Sequence, residues 1–287
     1  MNPPHPPPMS RSESDDWAGA GGVNWLRDMD HLESMTAPIF GALLQRAAFQ
    51  PGQRVIDVGC GGGRESLAIA RRVGDAGEVL GLDVSPALVD AATHRARAAG
   101  ATNLHFVVGN AETARPPGEP FDRLFSHFGT LYFRNPGVGY ANLARMLAAN
   151  GRADLAVWGP PQANAWASDV LALVGEWIEL PSPLPRAPGP FGLDDPDYIA
   201  ALLSAAGFRH VDVVPWVGKL PLGGDGMEVE NVFAFIARIL HFESLLAGLG
   251  DDARDALFSR IRALLTRHRH GNSVRMGAMA WLVAAQS

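Results

Sequence analysis

Cysteine is almost missing from this chain. Its 287 residues include one, Cys60, so no intramolecular disulfide and no thiolate metal cluster can be built, which points to a reducing compartment. Basic runs interleaved with aromatic residues are missing too. Lys and Arg number 24 against 30 Asp and Glu, a net charge of -6, and a nucleic-acid partner is disfavoured. Nowhere do about eighteen uncharged apolar residues follow one another, and the opening MNPPHPPPMSRSESDD lacks the apolar core of a signal peptide. These absences describe a soluble cytoplasmic protein without a membrane partner. No internal repeat is evident, and no Gly-Lys-Ser/Thr follows a glycine loop, which removes the phosphate-cradling P-loop.

Hydrophobic residues, by contrast, make up 47% of the chain, ample for the core of one large domain with sizeable insertions. From Arg54 onward short β-branched runs alternate with helical patterns, the signature of a parallel sheet covered on both faces. The runs predict strands at Arg54 to Val58, Glu78 to Asp83, Leu104 to Val108, Phe121 to Ser126, Arg152 to Trp158 and Phe208 to Trp216, with Ala278 to Ala285 as the last. One helix follows the glycine loop, and a second starts at Ser85-Pro86, Ser as N-cap and Pro at the first helical position. A third stripe, Tyr140, Leu143, Ala144 and Leu147, is expected to stop at Asn150-Gly151. A fourth covers Asp194 to Ala206. Residues 1–14 read as a disordered Pro/Ser leader, 15–50 as a helical segment over the ligand site, and 51–287 as the main domain. Two stretches break its rhythm, 159–193 and 217–272, and read as lid insertions.

The stretch VIDVGCGGGRES, Val55 to Ser66, carries the chemistry. A dinucleotide fold asks for G-x-G-x-x-G between strand and helix, with an acidic residue about 20 positions on. Gly59 and Gly61 match, but Arg64 stands where the third glycine lets helix and strand pack closely. Asp83 nevertheless ends the second strand, where a carboxylate can accept hydrogen bonds from both hydroxyls of a ribose. The ligand so described is an adenosine without a pyrophosphate.

DVGCGGG, GLDVSPALVDAA at the second strand, FVVGNAE at the third, FDRLFSHFGTLYF at the fourth and LARMLAANGR before the fifth resemble the successive motifs of the class I S-adenosylmethionine-dependent methyltransferases. Their order and spacing are similar to the small-molecule branch related to ubiquinone/menaquinone-biosynthesis methyltransferases. The similarity covers roughly residues 25 to 216, including PGPFGLDDPDYIAALLSAAGF. It implies a Rossmann-like, doubly wound α/β fold with a mostly parallel seven-stranded sheet, S-adenosyl-L-methionine as cofactor, and a small-molecule acceptor in biosynthetic or secondary metabolism. It further implies that Asp57, Gly59, Cys60, Gly61 and Gly63 line the methionine portion of the cofactor. Asp83 would hold the ribose, Val84 would pack on the adenine, and Asn110, where relatives commonly carry Asp, would offer its side-chain carbonyl to the adenine amino group. Ala111 and Ser126 complete that set. The glycines would let the backbone approach the ligand, since any Cβ holds the loop away. Cys60 reads as a small filler rather than a reactive thiol.

Methyl transfer from a sulfonium is an in-line displacement, so the acceptor must be brought close and left unprotonated. Of nine histidines, His127 is the candidate catalytic residue because it ends the fourth strand at the ligand edge. Two kinds of role stay open for it: general base, or a supporting one, orienting the methionine carboxylate or capping a loop. His241 and His268 with Glu243 raise the thought of a divalent ion, but no His-x3-His element supports it, and no metal is expected. Aromatic residues concentrate in the N-terminal segment and the two insertions, where they suit lid cores and a cleft for a planar or apolar acceptor. SHFG stands where base-modifying enzymes carry Asn/Asp-Pro-Pro-aromatic, against a nucleic-acid substrate. A protein methyltransferase and a non-catalytic cofactor-binding protein remain alternatives, as do monomer and homodimer.

Overall fold

The computed structural model describes residues 17–181 and 184–287; the expected leader, 1–14, lies outside the described residues. In chain order the elements are α1 (Ala20–Ala47), β1 (Arg54–Val58), α2 (Arg64–Val73), β2 (Glu78–Asp83), α3 (Pro86–Ala98), β3 (Leu104–Val108), β4 (Phe121–His127), α4 (Pro136–Met146) and β5 (Leu147–Trp158). After them come α5 (Ala165–Gly175), α6 (Pro196–Ala205), β6 (Arg209–Pro221), α7 (Val229–Ile239), α8 (Phe242–Leu245), α9 (Asp251–Arg267), β7 (Arg269–His270) and β8 (Ser273–Gln286). Three helices start alike, with a polar N-cap followed by proline. Ser85, Asn135 and Asp195 each accept a hydrogen bond from a first-turn backbone N–H, and Pro86, Pro136 and Pro196 occupy the position whose N–H has no helical partner.

Seven long strands lie in the order β3-β2-β1-β4-β5-β8-β6, and the two-residue β7 pairs only with β8. The first five are parallel to one another, while β8 runs antiparallel to both β5 and β6. The strand order reverses between β1 and β4, so a crevice opens beyond their carboxyl ends, the usual ligand position in open α/β sheets.

The larger boundary differences from the sequence reading lie at three places. Strand β6 runs on to Pro221 because Val217 to Pro221 pairs with Met279 to Arg275, so the segment 217–221 belongs to the sheet and the second insertion starts after it. β8 begins at Ser273 for the same reason. The third helix stops at Met146 rather than at Asn150, since Leu147 already pairs with Phe121; a register shift then accommodates Asn150 in the left-handed region (φ 64°).

The carboxyl half of α1 packs on the sheet through Met35, Ile39 and Leu43, each almost fully buried. Its last carbonyls find donors in the sheet: Arg123 donates to Ala47 O at 2.6 Å and Arg152 to Arg46 O at 3.1 Å, while Asp154 sits buried between the two guanidiniums. Cations at a helix C-terminus satisfy orphan carbonyls and oppose the helix dipole. This anchors one end of α1 and leaves the other to reach across the glycine loop.

Candidate active site at the carboxyl edge of the sheet

The turn from β1 into α2 is made of glycines held at positive φ, Gly59 at 71°, Gly61 at 51° and Gly63 at 76°. Their close neighbours differ. A Cβ on Gly59 would run into the backbone of Gly129 after β4, and one on Gly63 would stand 2.8 Å from Ala92 and Phe106. These two glycines therefore make room for protein, which the sequence reading had assigned to ligand approach. Gly61 faces α1 instead: the nearest atoms to its Cβ would be those of the Trp25 indole, a tight 3.2 Å away.

Asp83, at the end of β2, binds the loop directly. One carboxylate oxygen accepts the Gly61 N–H and the other the Ser85 N–H, both at 2.9 Å. Burial pushes its carboxyl up, against the opposing pull of the N–H groups of Ser85, Gly61 and Val84. Asp57 lies beneath the loop, 1% exposed, and accepts the Ser66 hydroxyl at 2.5 Å. Desolvation raises its carboxyl to about 8, with Ser66 pulling down and Glu65 and Asp83 pushing up. Cys60 is buried, and burial first, then the Asp83 and Asp57 charges, pushes its thiol up, so it stays protonated and unreactive. Ser126, fully buried, donates to Val58 O at 2.7 Å and ties β4 to β1. Val84 and Ala111 are half-buried; Asn110 is exposed, and its Oδ1 already accepts the Glu112 N–H at 2.9 Å. The four strand ends thus gather Gly61, Asp83, Asn110 and His127 along one edge, whereas the side chains of Asp57, Cys60 and Ser126 sit below it.

The first turns of α1 cover this edge. Besides Trp25 on Gly61, Met29 lies against Gly62, and Arg95 of α3 donates both to Gly62 O and to the buried Glu33 of α1, each at 2.6 Å. Burial pushes the Glu33 carboxyl up, with Arg95 opposing. Burial thus raises three carboxyls, those of Asp57, Asp83 and Glu33, around one loop. The loop and Asp83 lie at the carboxyl edge of the sheet, where open α/β sheets bind ligands.

A family model described as a methyltransferase domain matches residues 55–151. The chain carries a methyltransferase domain of the S-adenosylmethionine-dependent class. It is 30% identical to the nocamycin O-methyltransferase of Saccharothrix syringae over 186 residues, 61% of this chain and 65% of that protein. It is 32% identical to the aklanonic acid methyltransferase of Streptomyces sp. (strain C5) over 101 residues, 35% of this chain and 46% of that one. The chain spans about half the length of the curated relatives it matches. In fold it is similar to the Haemonchus contortus phosphoethanolamine N-methyltransferase 2 in complex with S-adenosyl-L-methionine, with a TM-score of 0.55, 17% identity, and coverage of 98% of this chain and 61% of that one.

Within the methyltransferase domain His127 ends β4 with its ring 6% exposed and Nδ1 3.3 Å from Glu65 Oε1. Its Nε2 is buried and has no hydrogen-bond partner among the described residues. Phe128 follows in the left-handed region (φ 66°), a strained state for a bulky residue. It stacks on Trp158 at 4.3 Å and 15°, and Trp166 continues the cluster at 5.3 Å. Sequence reasoning missed Glu65, because an acidic residue in a first helical turn reads as an ordinary partner of the helix dipole. It missed Glu33 and Arg95 as well, whose pairing spans 62 residues. His241 lies at a left-handed turn between α7 and α8, and among the described residues no three His, Cys, Asp or Glu side chains gather with metal-binding geometry. No helix among them is long and apolar enough to cross a membrane.

Proposed function

We propose that this chain is an enzyme that transfers a methyl group from S-adenosylmethionine to a small, planar, largely apolar acceptor in the cytoplasm. The observation that carries the reading is the Gly61 loop bonded to the Asp83 carboxylate and framed by the raised carboxyls of Asp57 and Glu33. When bound, the cofactor supplies a methyl group activated on a positively charged sulfur. Asp83 keeps free lone pairs on both oxygens for the ribose hydroxyls. The Gly61 backbone lies against the methionine portion once Trp25 yields, and α1 then shields the reacting atoms from water. Phe128, partly exposed at the end of β4 and backed by the buried Trp158 and Trp166, offers the acceptor a flat apolar surface, and the lone cysteine supports a reducing compartment. The relatives named for nocamycin and aklanonic acid support a small-molecule acceptor.

Titration calorimetry tests the cofactor half of the reading. S-adenosylmethionine or S-adenosylhomocysteine is expected to bind one site per chain, NADH is not, and Asp83→Ala is expected to weaken binding by about 1.5–3 kcal/mol and also to lower the melting temperature, since it strips the acceptor from the Gly61 and Ser85 N–H groups. Heat with NADH and none with S-adenosylmethionine would refute it. A methyl-transfer screen over small hydroxy, amino and keto compounds tests the acceptor half. Tight cofactor binding with no transfer to any class, and none to protein, would make the chain a cofactor-binding protein instead.

A further inference from the structure

We infer that Glu65 is the positioning residue of an acceptor-activating pair: it takes the Nδ1 proton of His127 in a hydrogen bond, which leaves Nε2 bare to receive the proton of an acceptor hydroxyl. The inference rests on the methyl-transfer reading above and adds the acceptor's chemical class. Its basis is the geometry of one side chain. A ring 6% exposed, with one nitrogen on a carboxylate and the other buried without a partner among the described residues, holds an unmet hydrogen-bonding group at the ligand edge. Buried polar atoms without a partner are rare enough in native structures to call for a reason. Phe40 at 5.9 Å and Phe128 at 4.4 Å confine the ring and add no polar group.

The charges around the pair favour this assignment. Burial pushes Glu65 up, but the His127 hydrogen bond and charge, a backbone N–H and Arg64 outweigh it and hold the carboxyl below its ordinary range. It is therefore ionised at neutral pH and favours Nδ1–H on its partner. Glu65 is thus the ionised carboxylate beside the ring, and it stabilises an imidazolium formed at His127. A neutral amine attacks a methyl group with its own lone pair, whereas a hydroxyl attacks poorly until its proton leaves. A dry site with one bare imidazole nitrogen thus suits a phenol or an enol. The acceptor oxygen bonds to the methyl carbon as its proton passes to Nε2. The carbon–sulfur bond breaks with its electron pair going to sulfur, leaving a neutral thioether, and the imidazolium then returns the proton to water.

Two measurements on the full chain test the pair. Long-range proton–nitrogen NMR, with and without S-adenosylhomocysteine, is expected to find His127 protonated on Nδ1 in the wild type and as a mixture of tautomers in Glu65→Ala. For a hydroxyl acceptor turned over in the screen, Glu65→Gln keeps the volume and a hydrogen bond. It is expected to lower kcat about 10-fold or more, to keep the cofactor KM within about 3-fold, and to change the acid limb of the pH profile. Glu65→Asp should recover part of the rate. An Nε2-protonated ring, a tautomer indifferent to Glu65→Ala, or turnover confined to amines or carbon acids would overturn the assignment. So would Glu65→Gln losing S-adenosylhomocysteine affinity at unchanged kcat, which would make the pair a cofactor contact. A wild type that binds no S-adenosylmethionine refutes the methyltransferase reading instead, while the tautomer still reports on the pair.

Discussion

Asp57 shows how one residue stores a pH dependence under the glycine loop. Its carboxyl goes from 3.8 in the open chain to about 8 in the fold, burial being the main cause. The folded state therefore binds a proton that the unfolded chain releases, so the stabilising contribution is complete below 3.8 and is lost as pH rises to about 8. Asp57→Asn keeps an acceptor for the Ser66 hydroxyl and removes the titration. The melting temperature of the variant relative to the wild type is expected to climb as pH rises across that window, measured by thermal scans in matched buffers. A difference independent of pH would mean that Asp57 is ionised in the fold.

Among the elements, α1 is divided in what holds it. Its second half is packed on the sheet and capped by Arg123 and Arg152; its first half rests on the glycine loop through Trp25 and Met29 and is tied by polar links. Arg238 of α7 donates two hydrogen bonds to the buried Asp28, at 2.9 and 2.5 Å, and His31 Nδ1 lies 2.9 Å from Gly223 O. Few apolar contacts and several polar ones suit a part that opens locally. Arg238→Ala strips the partner from a buried carboxylate. Amide hydrogen exchange is expected to speed up over residues 20–34 and to stay slow over 35–47; a uniform change along the helix would contradict the division. Cofactor binding should also shift tryptophan fluorescence, since Trp25 stands over Gly61, and Trp25→Phe should lose part of that change.

For the whole molecule, the helices α7 and α9 of the second expected insertion share the core of the sheet. Val232, Phe235, Ile236, Leu257, Ile261 and Leu265 are fully buried and join the same hydrophobic cluster as the sheet. Arg260 of α9 pairs with Glu176 at the end of α5, and Arg262 with Glu230 of α7. Deleting the segment would open that core, so a single large-to-small change is the cleaner probe. Ile236→Ala is expected to cost about 2–5 kcal/mol through lost burial and a residual cavity. It should lower one cooperative melting transition monitored by calorimetry. A separate early transition would mark the segment as an independent unit.

Much of this was legible in the residues themselves. Strands β1, β2 and β3 have the bounds their runs predict, although only β1 and β2 are mostly buried and the edge strand β3 leaves Val107 and Val108 exposed. Local chemistry also determined the Ser-Pro, Asn-Pro and Asp-Pro helix starts and the positive-φ loop after β1, because each depends on residues within one turn. The tertiary structure alone decided what touches across distance. Glu65 and His127 are 62 residues apart and meet only because β4 lies beside β1. Val217 to Pro221 became sheet only because β8 returned to pair with it. Gly59 and Gly63 proved to make room for Gly129, Ala92 and Phe106, a fact no spacing encodes. Periodicity and turn chemistry reach a few residues along the chain, whereas partner choice follows from the order in which strands pack.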